Sequence, residues 1–84
     1  MKAFTVTWHP EAEDELTRIW ISDGHKKRVT LAVAAIDNKL GTDPEASSEP
    51  VREGLRRLTI VPLRVLLTVK IDDRVVEVMM VSAI

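Results

Sequence analysis

Five basic side chains, Arg56, Arg57, Arg64, Lys70 and Arg74, crowd the final third of the chain. Four of them are guanidiniums, which stay charged at physiological pH and present a planar fork of donors suited to phosphate. Gathered on one open surface, they could hold a nucleic-acid backbone and stabilise the charge that develops at phosphorus during RNA cleavage. The same residues admit a plainer account: cross-strand pairing, for instance with Glu77, and solvated strand ends. On residue types alone the plainer account is favoured. Lys26, Lys27 and Arg28 form a second, shorter basic run, read as a solvated helix start, with phosphate contact as the alternative.

Other chemistries have less support. His9 and His25 stand alone, with no second imidazole or cysteine at ligand spacing, so no metal site is expected. Glu11, Glu13, Asp14 and Glu15 fall on different sides of one helical turn, where they complement the helix dipole. The chain has no cysteine, hence no disulfide framework and no thiolate. It has no Gly-x-Ser-x-Gly elbow, only three glycines and no phosphate-cradling loop, and no tyrosine. No cofactor is expected. Trp8 and Trp20 read as core aromatics rather than base-stacking platforms.

The elements that must position the arginines follow from length and periodicity. Eighty-four residues, 45% hydrophobic and 30% charged, fit one domain with a single modest core, spanning residues 1–84. A net charge of −1 supplies no general attraction to nucleic acid, so any such contact depends on where the basic residues sit. No apolar run is long enough for a bilayer and no signal-peptide core opens the chain, so a cytoplasmic protein without a membrane partner is expected.

Phe4, Val6 and Trp8 alternate with small or polar residues, the mark of a strand with one buried face. Pro10 opens a helix carrying Ala12, Leu16, Ile19 and Trp20 at helical spacing, broken at Ser22-Asp23-Gly24. A second helix begins near His25, with Val29, Ala32, Val33, Ile36 and Leu40 as its apolar stripe and Gly41 as its C-cap. From Gly41 to Glu53 the sequence is polar and reads as an exposed loop. Three strands complete the chain between Leu55 and Val81, divided by a bend at Val61-Pro62-Leu63 and a two-residue turn at Asp72-Asp73. The fold class is α+β, in the order β-α-α-β-β-β, with a helix hairpin covering one face of an antiparallel sheet.

The two-residue turn sets a register: Ile71 opposite Arg74, Thr68 opposite Glu77, Leu67 opposite Val78 and Leu66 opposite Met79. Strict alternation then places Val76, Val78 and Met80 under the helices and Val75, Glu77, Met79 and Val81 on the open face. That face would carry Arg57, Arg64 and Lys70 around an apolar strip of Leu66, Met79 and Val81. An uncovered strip of this kind is expected to meet a partner, a second copy included.

Several segments resemble the RelE/ParE superfamily of type II toxin–antitoxin toxins, a group that includes plasmid stabilisation proteins. Val6-Thr7-Trp8-His9-Pro10-Glu11-Ala12-Glu13-Asp14-Glu15-Leu16 is similar to the family's opening strand and Pro-x-Ala-x-x-x-Leu helix start. Leu40-Gly41-Thr42-Asp43-Pro44 resembles its second-helix end. Arg57-Leu58-Thr59-Ile60, Leu63-Arg64-Val65-Leu66-Leu67-Thr68-Val69 and Asp73-Arg74-Val75-Val76-Glu77-Val78 resemble its three later strands.

The resemblance implies a microbial-RNase-like fold and either ribosome-dependent mRNA cleavage or gyrase poisoning, with a cognate antitoxin as partner. It assigns Arg64 and Arg57 to the catalytic positions; Arg56, Lys70 and Arg74 are the remaining candidates for contacting the target. The pattern departs from the family in two places. Leu67 replaces a central-strand tyrosine, and Ile84 stands about where a later arginine is expected, with no tyrosine or histidine after it. Both departures count against cleavage, because arginines without an acid–base partner hold phosphate but do not move protons. The other reading is a non-catalytic interaction module built on the open sheet face.

Overall fold

The structure is a computed structural model that describes residues 3–84. Its elements in chain order are β1 (Thr5–Trp8), α1 (Pro10–Ser22), α2 (Lys26–Thr42), α3 (Pro44–Ser47), β2 (Glu49–Arg52), β3 (Leu55–Ile60), β4 (Leu63–Lys70) and β5 (Val75–Ala83). The class is α+β, as the residue pattern implied.

Local chemistry explains the helix boundaries. His9 caps α1, its Nδ1 accepting the Glu11 N–H at 3.2 Å, and Pro10 occupies the first turn, where a missing N–H costs nothing. At the far end the Asp23 N–H donates to the Ile19 carbonyl, and Asp23 Oδ1 accepts the His25 N–H at 2.6 Å. That second bond folds the chain directly into α2.

α2 runs through Gly41 rather than ending there. Gly41 is buried, and its carbonyl accepts the N–H groups of Ala3 and Phe4 at 2.7 and 2.9 Å, which ties the N-terminal segment to the helix. The helix ends instead at Asp43, whose carboxylate accepts the Ala46 N–H at 3.2 Å and so starts α3.

The stretch expected as an exposed loop therefore holds a short helix and a strand. Asp43-Pro44 is a cap followed by a first-turn proline, a start signal that polar composition masked. β2 is exposed at every position and contains Pro50, so it carries no alternating pattern to reveal it; as an edge strand it tolerates the proline. Gly54, at φ 77°, supplies the left-handed residue for the turn into β3.

The five strands lie in the order β1-β5-β4-β3-β2. β1 runs parallel to β5 and the other pairs are antiparallel. One face meets the helices. Val29, Ile36 and Leu40 of α2 pack there with Leu63, Val65 and Leu67 of β4 and Val76 and Val78 of β5, all fully buried. Each such side chain contributes about 1.5–3 kcal/mol of transfer free energy. Trp8 packs against this core and donates its indole N–H to Asp37 Oδ1 at 2.9 Å. Trp20 departs from its expected core place. It is 41% exposed on the outer side of the helix hairpin, bonded to Thr30 Oγ1 at 3.3 Å, with Lys26 Nζ 5.0 Å above its ring.

The register of the last hairpin holds for its first half and then shifts. Thr68 faces Glu77 and Leu67 faces Val78, as the two-residue turn requires, but Leu66 faces Met80 and Val65 faces Val81. The irregularity lies between Leu66 and Leu67, where Met79 is the extra residue of a β-bulge. One inserted residue reverses the faces of everything after it. Val81 is accordingly in the core at 5% exposure, and Met80 is on the open face at 61%. This corrects the expected faces of both residues.

Candidate functional site

The open face of the sheet is built in rows. Strand alternation turns Arg57 and Thr59 of β3 outward, and antiparallel pairing sets Arg57 opposite Leu66 and Thr59 opposite Arg64. On the next strand Leu66 faces Met80 and Arg64 faces Ser82. One row thus reads Arg57, Leu66, Met80, and the row beside it Thr59, Arg64, Ser82. Arg57 and Arg64 are diagonal neighbours across the β3–β4 pair, a relation that spaces residues about 7–8 Å apart.

The two guanidiniums sit in different surroundings. Arg57 is held by Glu49 of β2, with its Nη2 2.8 Å and its Nε 3.0 Å from one carboxylate oxygen. Arg64 is exposed, and its Nε donates to Thr59 Oγ1 at 3.4 Å. Among the described residues Arg64 forms no ion pair. Its fork is thus the freer of the two, and Glu49 both orients Arg57 and competes for it.

Arg56 is placed elsewhere. It is paired with the buried Leu67, and so faces the helix side of the sheet. Its Nε bonds to Ser48 Oγ at 2.7 Å, and its Nη2 bonds to the carbonyls of Ser48 and Glu45 at 2.8 and 2.9 Å. These bonds fasten α3 and β2 to β3. The expected target-contacting residue is engaged as a structural clamp.

Lys70 and Arg74 are not brought to the arginine pair either. Lys70 ends β4, six residues from Arg64, or about 20 Å along a strand. Arg74 lies beyond it in the turn, at φ 53°, with its carbonyl accepting the Thr5 N–H at 2.8 Å. Of the apolar strip, Leu66 is half-buried on the open face, Met79 is the half-buried bulge residue and Val81 is in the core. Met80, which sequence reasoning placed under the helices, takes the exposed position beside Leu66. Glu49 and Ser82 were also missed. Thr59 follows from alternation alone, whereas Glu49 and Ser82 depend on β2 and on the bulge.

One carboxylate lies below its ordinary pKa, away from this face. Asp23, in the α1–α2 turn, is lowered first by the backbone hydrogen bond from His25 and further by Arg28, whose Nη2 is 3.4 Å from Oδ2. The open face has a different character: two fixed cations, two hydroxyls and an apolar row. Such a surface suits a phosphate backbone with an adjoining apolar contact.

No family model matches the chain, and no curated protein matches it in sequence. Solved structures do. A chain of the toxin–antitoxin complex RelBE2 from Mycobacterium tuberculosis is 17% identical with a TM-score of 0.83, the match covering all of this chain and 94% of that one. A chain of the chromosomal ParDE system of P. aeruginosa is 13% identical with a TM-score of 0.71, over 98% of this chain and 97% of that one. The isolated E. coli RelE toxin is 19% identical with a TM-score of 0.63, over 96% of this chain and 84% of that one. The chain therefore has the fold of the RelE and ParE toxins from end to end.

Proposed function

We propose that this chain is the toxin-fold half of a toxin–antitoxin pair, and that its open sheet face engages a phosphate-rich target through Arg64 and Arg57. The observation that carries this reading is the diagonal placement of the two arginines on the exposed face of a toxin fold. Arg64 is the leading contact, because its donors are the less committed. Arg57 contributes when Glu49 yields to a backbone phosphate, whose anionic oxygens accept the same pair of N–H donors.

The face is better suited to binding than to cleavage. Guanidiniums keep their protons at neutral pH, so they neutralise phosphate charge but do not relay a proton to a leaving group. The target favoured on these grounds is ribosome-bound RNA, with gyrase as the competing target, and a cognate antitoxin would neutralise the protein. Induced expression in a bacterial host is expected to arrest growth, and Arg64→Ala to relieve the arrest. Inhibition of cell-free translation by the purified protein would mark the RNA target, and inhibition of DNA supercoiling would mark gyrase. Harmless expression at a level where folded protein is recovered would refute toxicity.

The exposed Met80 beside Leu66 favours a second reading, in which the face is a non-catalytic docking surface for a partner or a second copy. Sedimentation separates the two. A dimer dispersed by Met80→Asp, with no effect of expression on growth, supports this second reading.

A further inference from the structure

β5 is longer than the strand beside it. It spans Val75–Ala83, whereas β1 pairs only with Val75 to Val78 before the chain turns away into α1. The lane next to Met79–Ala83 is therefore left open on the side away from β4. Backbone direction can be followed through it. The Val78 carbonyl accepts the His9 N–H, so it points into the β1 lane. Past the bulge, the Ile84 N–H donates to the Pro62 carbonyl on the opposite side. Alternation then turns the N–H and C=O groups of Met80 and Ser82 toward β4, and those of Val81 and Ala83 into the open lane. Among the described residues no hydrogen bond fills that lane.

A free edge of this kind takes an extended chain, since only another backbone supplies donors and acceptors at strand spacing. The walls of the lane specify the side chains. Toward the helices, a groove separates the strand from Glu11, Asp14, Glu15 and Arg18 of α1; Arg18 pairs with Glu15 at 3.1 Å, which among the described residues leaves Glu11 and Asp14 as the unpaired carboxylates there. Toward the open face, the neighbour is the exposed Met80. We infer that the Met79–Ala83 edge of β5 is a strand-addition site for an extended segment of another polypeptide, with basic side chains turned to α1 and apolar ones turned to Met80. The segment continues the lane that β1 vacates and spans about five residues, or about 17 Å. The inference rests on the backbone of β5 and the charge of α1, and stands whether or not the protein is toxic.

The test uses the full chain, labelled for amide NMR, and an end-blocked peptide of alternating lysine and valine. In the free protein, amide exchange is expected to be slow at Met80 and Ser82 and fast at Val81 and Ala83. Adding the peptide is expected to slow exchange at Val81 and Ala83. A peptide N-methylated on its pairing edge should not bind, and Glu11→Gln with Asp14→Asn should weaken binding about tenfold or less, an effect that fades in high salt. Three results would overturn the assignment. One is slow exchange at Val81 and Ala83 in the free monomer, and another is self-association that protects them without peptide. The third is peptide binding that is absent at millimolar concentration or maps instead to Arg57 and Arg64.

Discussion

Arg56 and Arg57 are neighbours in sequence and do different work, because a strand turns successive side chains to opposite faces. Arg57 joins Arg64 on the open side, whereas Arg56 reaches Ser48 and Glu45 on the helix side. Charge-assisted bonds from a half-buried guanidinium to a hydroxyl and two carbonyls are strong by protein standards. Arg56→Ala is expected to cost about 1.5–3 kcal/mol in urea unfolding, through loosening of α3 and β2. Arg64→Ala, at an exposed site with one long bond to Thr59, is expected to leave stability within about 0.5 kcal/mol of the parent. This difference separates the clamping arginine from the proposed target contact in the same experiment.

Asp23 makes a second prediction at this scale. Its folded pKa lies below the ordinary carboxylate value of 3.8. A depressed carboxylate stabilises the fold above its unfolded pKa and loses that contribution as pH falls through the folded value. The stability gap between the parent and Asp23→Asn is therefore expected to be constant above about pH 5 and to close in more acidic solution. Urea titrations across that range measure it. A gap that widens toward acid would contradict the assignment.

At the scale of the element, the bulge at Met79 decides which face each later residue takes. Val81→Asp places a carboxylate in the core opposite Val65 and is expected to prevent folding, whereas Met80→Asp is expected to be tolerated. Strict alternation predicts the reverse ordering, and circular dichroism of the two variants separates the alternatives. The bulge was invisible in the sequence for a physical reason. Val78, Met79, Met80 and Val81 are all apolar, so no polar residue marks the frame shift. The elements that were legible had contrast: Val29, Ala32, Ile36 and Leu40 against the polar faces of α2, and Val65 and Leu67 against Arg64 and Thr68. β2 had none, and the partner of Arg57 disappeared with it. The place of Arg64 on the open face was legible from alternation. The separate placement of Lys70 and Arg74 required the three-dimensional path of the strand.

At the scale of the molecule, the helices and the Arg57–Arg64 pair lie on opposite faces of one sheet. The helix side is spent on the core, which leaves the open side free to vary in chemistry while the fold persists. That division allows a TM-score of 0.83 at 17% identity, where the backbone path persists while most side chains differ.

The parallel pairing of β1 with β5 bears on synthesis. Thr5 meets Val75 and Trp8 meets Val78, so β1 is joined to the strand most distant from it in this sequence. Until β5 leaves the ribosome, β1 has no partner, and the rows that bring Met80 and Ser82 beside Leu66 and Arg64 do not exist. Contacts so distant along the chain form late, after the local hairpins and helices. A nascent chain thus carries its arginines without the surface that arranges them, and that surface assembles only once β5 has emerged.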